Sequence, residues 1–185
     1  MNTRRWMLGL AVVALGIMFG QMAQAGGDKK DSTMALQGKA APDFTLKTLD
    51  GKEVKLSDQK GSVVLMDFWA TWCPPCRKSL PHVQEMSADK ELAAKGLKVW
   101  AVNAHEQADK VSNFTKENNY SFQVPMDAEG ATMKDYKVQG IPTTVIVGRD
   151  GNVKKVFIGY GEESAKQIDK AVKEALAEPA PGKTS

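Results

Sequence analysis

The chain has 185 residues, 42% of them hydrophobic and 25% charged, with 25 basic against 22 acidic side chains for a formal net charge of +3. This suits one globular domain with a short appendage, and the near-balanced, interspersed charge excludes a nucleic-acid-binding footprint. Two cysteines exclude a disulfide framework and a four-cysteine zinc site, so they act, if at all, as a pair.

Residues 1–25 read as an export signal. Arg4 and Arg5 give a basic start, Trp6 to Gly20 is apolar, and Ala23-Gln24-Ala25 is a small-x-small cleavage pattern. The apolar run falls short of the roughly 20 residues that comfortably span a bilayer, which favours cleavage, so membrane contact is expected only if the segment stays on as an anchor. The paired arginines also admit a twin-arginine route. Either route leads to the periplasm or the extracytoplasmic face of the cell membrane, where disulfide chemistry is possible. Residues 26–39 are small, polar and aperiodic, a flexible linker, and residues 178–185 form a disordered tail by the same criterion. The folded domain is expected over residues 40–177.

That domain opens with Phe44-Thr45-Leu46 and Val54-Lys55-Leu56 around Asp50-Gly51, a hairpin pattern. Val63 to Trp69 is a nearly continuous apolar run, the mark of a strand covered on both faces. Pro74 and Pro75 follow, placed where fixed φ and missing N–H groups suit a first helical turn, and helical composition continues to about Ala94 with a kink expected at Pro81. A second buried strand is expected over Leu97 to Asn103 and a helix over Gln107 to Glu117. An extended segment over Ser121 to Met126 should precede a short helix near Ala131 to Tyr136. Thr143 to Val147 and Val153 to Ile158 flank the turn Arg149-Asp150-Gly151-Asn152 as a second hairpin. Glu162 to Ala177 closes the chain as an amphipathic helix, with Ile168, Val172 and Leu176 four apart. The order of elements implies an α/β sandwich with a mixed central sheet.

The chemistry sits in Trp72-Cys73-Pro74-Pro75-Cys76, where a buried strand hands over to a helix. Two intervening residues let the sulfurs bond within one helical turn. Cys73 lies at the helix N-terminus, where partial positive charge and free N–H groups stabilise a thiolate, so it is expected to attack. Cys76, one turn inside, is expected to resolve the mixed disulfide. Neither proline can donate an N–H to the Cys73 thiolate, which leaves donors from Cys76 onward. Moderate thiolate stabilisation implies a reducing or isomerising couple rather than a strong oxidant.

The segment Asp67-Phe68-Trp69-Ala70-Thr71-Trp72-Cys73-Pro74-Pro75-Cys76 resembles the active site of the thioredoxin superfamily. Pro81 matches the helix-kinking proline of that superfamily, Ile141-Pro142-Thr143-Thr144 its cis-proline loop, and Arg149-Asp150-Gly151 the turn between its last two strands. The N-terminal hairpin, the inserted segment from Ser121 to Tyr136 and the export signal make the chain most similar to TlpA/ResA-type extracytoplasmic thiol-disulfide oxidoreductases. The resemblance implies a thioredoxin-like three-layer sandwich and a cis bond before Pro142. It also implies a substrate surface of Trp72, Ile141 and Pro142, with the backbone of Ile141 open to strand-like pairing. One departure stands out. ResA-type relatives carry a glutamate three residues after the second cysteine, and here that residue is Ser79. Asp67 falls instead at the buried aspartate of thioredoxin. It is expected to take the proton that Cys76 must lose, or else to serve a structural hydrogen-bond network.

By the same resemblance the partners are disulfide-containing envelope proteins, apocytochromes c among them in cytochrome c biogenesis, with a membrane thiol-disulfide shuttle as electron donor. No cofactor is expected beyond the redox-active Cys73–Cys76 disulfide, and no metal. Haem attachment would need histidine at Arg77, and His82 and His105 have no partner at metal-ligand spacing. Three alternatives stay open. A thiol peroxidase shares the opening Ala41-Pro42-Asp43-Phe44, but Ala70 stands where its threonine would be. A metal carrier could hold Cu(I) on two thiolates. An apoprotein chaperone would need no turnover. Trp69 is expected either on an apolar rim with Trp72 and Ile141 or in the core, and Lys170, Lys173 and Glu174 on a solvated helix face.

Overall fold

The fold is described from a computed structural model, over residues 33–180 and residue 182. The export segment, most of the linker and the end of the tail lie outside the described residues. Two short strands, β1 (Thr45–Lys47) and β2 (Glu53–Lys55), form the N-terminal hairpin, with Thr45 opposite Lys55. The principal sheet contains β3 (Val63–Trp69), β4 (Leu97–Ala104), β5 (Met126–Asp127), β6 (Thr143–Val147) and β7 (Val153–Ile158) in the order β5-β4-β3-β6-β7. β3 pairs parallel with β4 and antiparallel with β6, and β7 lies antiparallel on the far edge.

All seven residues of β3 are buried, as a strand with both edges paired and both faces covered requires. Alternation sends Val63, Leu65 and Trp69 into the core beneath the helices α1 (Pro74–Ala88), α3 (Ala108–Glu117) and α5 (Glu162–Ala177). Val64, Met66 and Phe68 enter the opposite core, closed by Leu36, Val54, Leu56 and Tyr136 from the hairpin side and from beside the short helix α4 (Ala131–Asp135). These are the three expected layers. Ile168, Val172 and Leu176 of α5 are buried together with Ala171 and Ala175.

The structure departs from the sequence expectations in one element. The helix after the cysteines ends at Ala88, and α2 (Lys90–Ala94) begins anew. Asp89 makes the break: its backbone is extended, and its carboxylate accepts from the N–H groups of Glu91 and Leu92, an N-cap that starts a helix. The expected extended segment from Ser121 to Met126 runs beside β4: the N–H groups of Ala101 and Asn103 reach the carbonyls of Gln123 and Pro125, and Met126–Asp127 pairs as β5. The α1 helix runs through Pro81.

Arg149 locks the end of the sheet opposite the cysteines. Its Nη1 donates to the Gly61 carbonyl at 2.6 Å, and its Nη2 to the carbonyls of Lys95 at 2.7 Å and Leu176 at 3.1 Å. One side chain thus joins the loop before β3, the turn before β4 and the end of α5. Arg149→Ala should cost about 1–3 kcal/mol of stability, from hydrogen bonds to a charged donor, while leaving exchange of the dithiol with a small disulfide unchanged. Urea denaturation paired with an exchange assay checks both parts.

Candidate active site

β3 delivers the chain to the site. After Trp69 the segment Ala70-Thr71-Trp72 turns, and Cys73 becomes the N-cap of α1, with Pro74 and Pro75 in the first helical turn. The Cys76 N–H donates to Cys73 Sγ at 3.2 Å. With both intervening residues proline, this backbone donor comes from the position the missing N–H groups dictate. Cys73 and Cys76 are joined in a disulfide. Cys76 is wholly buried and Cys73 is 2% exposed.

The Ile141–Pro142 bond is cis, and the Ile141 carbonyl oxygen lies 3.6 Å from Cys73 Sγ. Residues 68 positions apart in sequence therefore meet at the sulfur. A groove of about 410 Å³ opens here, lined among others by Trp72, Cys73, Pro75, His105, Met133 and Ile141. Trp72 is 60% exposed. Trp69 belongs to the core instead of the rim: it is fully buried, and its Nε1 donates to the Ala101 carbonyl at 3.1 Å. Its strand parity points it beneath the helices, away from the groove.

Asp67 is fully buried on the helix side of β3, opposite Thr144 of β6. The Thr144 hydroxyl donates to its Oδ1 at 2.7 Å. The Ser79 hydroxyl stands 3.3 Å from its Oδ2 and 2.9 Å from the Cys76 carbonyl oxygen. Burial pushes the Asp67 carboxyl up to about 7, and the hydrogen bonds from Thr144 and Ser79 and the charge of His82 offset only part of the shift. Ser79, the position that departs from the ResA pattern, thus touches both the aspartate and the helical turn of Cys76.

Sequence reasoning missed Glu106. This buried carboxylate accepts from the Thr71 N–H and the Thr71 hydroxyl, both at 2.6 Å, from Asn103 Nδ2 at 3.0 Å and from Lys110 Nζ at 2.8 Å. Burial opposes its charge, but the hydrogen bonds from Asn103, Lys110 and Thr71 win and hold it below the usual glutamate range. Thr71 and Glu106 are 35 residues apart, and no local pattern announces the contact. The two histidines part company: His82 pairs with Asp169 of α5 at 2.9 Å, while His105 lines the groove. Lys170 and Glu174 form an exposed pair on α5.

Residues 36–173 match the Redoxin family profile. The chain belongs to that family. The thiol-disulfide oxidoreductase ResA of Bacillus subtilis is 37% identical over 128 residues, covering 69% of this chain and 70% of that protein. ResA of Bacillus thuringiensis is 35% identical over 136 residues, covering 74% and 76%. Among solved structures, one from Chlorobium tepidum, provisionally named a thiol:disulfide interchange protein DsbE, superposes with a TM-score of 0.71 at 38% identity, covering 76% of this chain and 98% of that one. Within the thioredoxin superfamily this Redoxin member is of the ResA type, a thiol-disulfide oxidoreductase. Its substrates are accordingly disulfide-containing proteins. No helix among the described residues is long and apolar enough to cross a membrane.

The raised Asp67 pKa has a thermodynamic consequence. The folded chain keeps a proton that the unfolded chain releases near 3.8, so this contribution to stability is fully present below about pH 4 and is lost as pH rises through about 7. Asp67→Asn removes the titration. Relative to the wild type, the oxidised variant should gain up to a few kcal/mol between pH 4 and pH 8. Urea denaturation at the two ends of that window measures the difference, and parallel pH profiles would contradict it.

Proposed function

We propose that this oxidoreductase is exported and works reductively, reducing or exchanging disulfides in envelope proteins of the periplasm or the outer face of the cell membrane. The observation that carries the proposal is the pairing of Cys73 Sγ, capped by the Cys76 N–H, with an apolar groove beside the cis-Pro142 loop. A sulfur so placed favours a partner that docks over one that arrives by chance collision. The export assignment rests on residues 1–25 and on the cysteine chemistry.

In the reduced protein the Cys73 thiolate attacks one sulfur of a substrate disulfide. That S–S bond breaks, a mixed disulfide forms on Cys73, and the other substrate sulfur leaves as a thiolate that takes a proton. Cys76 then gives its proton to the Asp67 carboxylate and attacks Cys73 Sγ. The bond between Cys73 and the substrate breaks, the second substrate sulfur leaves as a thiolate and takes a proton, and the electron pair the substrate gained is the one the dithiol lost in closing its own disulfide. A group titrating at about 7 is matched to accepting and returning a proton near neutral pH. Trp72, Ile141 and Pro142 hold the substrate chain, with the Ile141 backbone available for strand-like pairing. Pro74, Pro75 and Pro81 shape the helix. A membrane thiol-disulfide shuttle regenerates the dithiol, and apocytochromes c awaiting haem are candidate substrates. The disulfide is the only redox group this cycle requires.

Cys76→Ala should accumulate substrate proteins disulfide-linked to Cys73, visible as adducts that collapse on reduction. Adducts formed instead by Cys73→Ala would reverse the two roles. With one capping N–H and no donor between the cysteines, the couple should equilibrate with glutathione nearer about −270 mV than about −120 mV. A value near the oxidising end would overturn the reductive direction.

A further inference from the structure

Thr71 is held at every polar backbone and side-chain atom. Its N–H and hydroxyl both go to Glu106, and its carbonyl accepts from Arg77 Nε at 2.8 Å. Arg77 is itself steadied, with its guanidinium 5.3 Å from the centre of the Phe114 ring. On the other side of Trp72, the Cys73 N–H bonds the Ala70 carbonyl at 3.2 Å. The backbone is therefore pinned immediately before and after the one residue whose indole stands open to solvent at the mouth of the groove.

The turn that supplies Glu106 is built for this. His105 takes a left-handed backbone, φ 57°, a conformation that costs a residue with a Cβ and persists where its surroundings fix it. Its N–H bonds the Asp127 carbonyl, and its imidazole fills space that Gly130 leaves open: a Cβ at Gly130 would stand 2.0 Å from His105 Cε1. This bend lets Glu106 and Asn103, three residues apart, hydrogen-bond each other at 3.0 Å and lets Glu106 face Thr71. A buried carboxylate is costly to desolvate unless charge and hydrogen bonds compensate it, and here its remaining contacts are the exposed Lys110 and one amide. Two of its four contacts converge on a single loop residue next to the nucleophile.

We propose that Glu106 is a positioning residue for exchange with protein substrates: acting through Thr71, it fixes Trp72 and Cys73 as one rigid docking edge. A platform ordered in advance loses less freedom when an extended chain binds across it. A small disulfide, which needs only the sulfur, gains nothing from that edge. The inference rests on the proposed docking of substrate chains along the groove.

The test compares the reduced wild type with Glu106→Gln and Thr71→Val, each reacted with a short peptide cyclised by one disulfide and with 2-hydroxyethyl disulfide. Glu106→Gln should slow exchange with the peptide by about tenfold or more and with 2-hydroxyethyl disulfide by less than about threefold. Thr71→Val keeps the backbone bond and loses the hydroxyl, so it should show a smaller loss with the same selectivity; it also carries the test if Glu106→Gln fails to fold. Equal losses on both substrates, or no loss on either, would overturn the positioning role. A wild type that reacts with 2-hydroxyethyl disulfide but never faster with the peptide than chance collision allows would instead sink the docking premise itself.

Discussion

Everything at the reactive end of this protein depends on β3 being closed to water along its whole length. A strand paired on both edges and packed on both faces cannot shift register without exposing one set of side chains to the wrong core. Its C-terminal end is therefore a fixed point, and the chain that leaves it must turn into α1 within a few residues. Cys73 is carried to the helix mouth by that geometry, and the prolines that follow leave its sulfur the Cys76 N–H. The loop before it needs its own anchor, because three residues between a strand and a helix bring no ladder hydrogen bonds with them.

The same burial sorts two carboxylates into opposite states. Asp67 sits within β3 among neutral hydroxyls, so desolvation dominates and it holds a proton up to about 7. Glu106 lies at the end of β4, where Lys110, an amide and a backbone N–H more than repay its desolvation, so it stays ionised. One group stays neutral up to about neutral pH, and the other stays charged and bonded to a loop. Their opposite states follow from their partners, since both are simple acids and both are buried.

The exchange of glutamate for serine at position 79 fits this arrangement. A second carboxylate within reach of Asp67 would set two like charges against each other in a dry site. The hydroxyl of Ser79 bridges instead, touching Asp67 and the carbonyl of Cys76 without adding charge. The groove outside is apolar, with Trp72, Met133, Pro75 and Ile141 on its walls. The acid behind the cysteines is held neutral up to about 7, and the groove outside them is walled mostly by apolar side chains.

What the sequence determined by itself were the features encoded over a few adjacent residues. The run Val63 to Trp69 declared a doubly covered strand, Pro74 and Pro75 a helix start, and Cys73 and Cys76 a bond within one turn, because each depends on period, fixed φ or short spacing. The hairpin across Arg149 to Asn152 and the closing helix from Glu162 were legible for the same reason. Tertiary structure alone decided the rest. That Trp69 belongs to the core follows from which face of β3 the helices cover, and that Glu106 grips Thr71 follows from a left-handed bend at His105 that packing against Gly130 fixes. Asp89 could split a helix because a carboxylate that caps one set of N–H groups ends the run before it, a contest settled only once the flanking turns pack. Arg149 could gather three carbonyls only after the sheet and α5 had brought them together. Hydrogen bonds between residues dozens of positions apart leave no periodic trace along the chain, so folding has to make them before they can be seen.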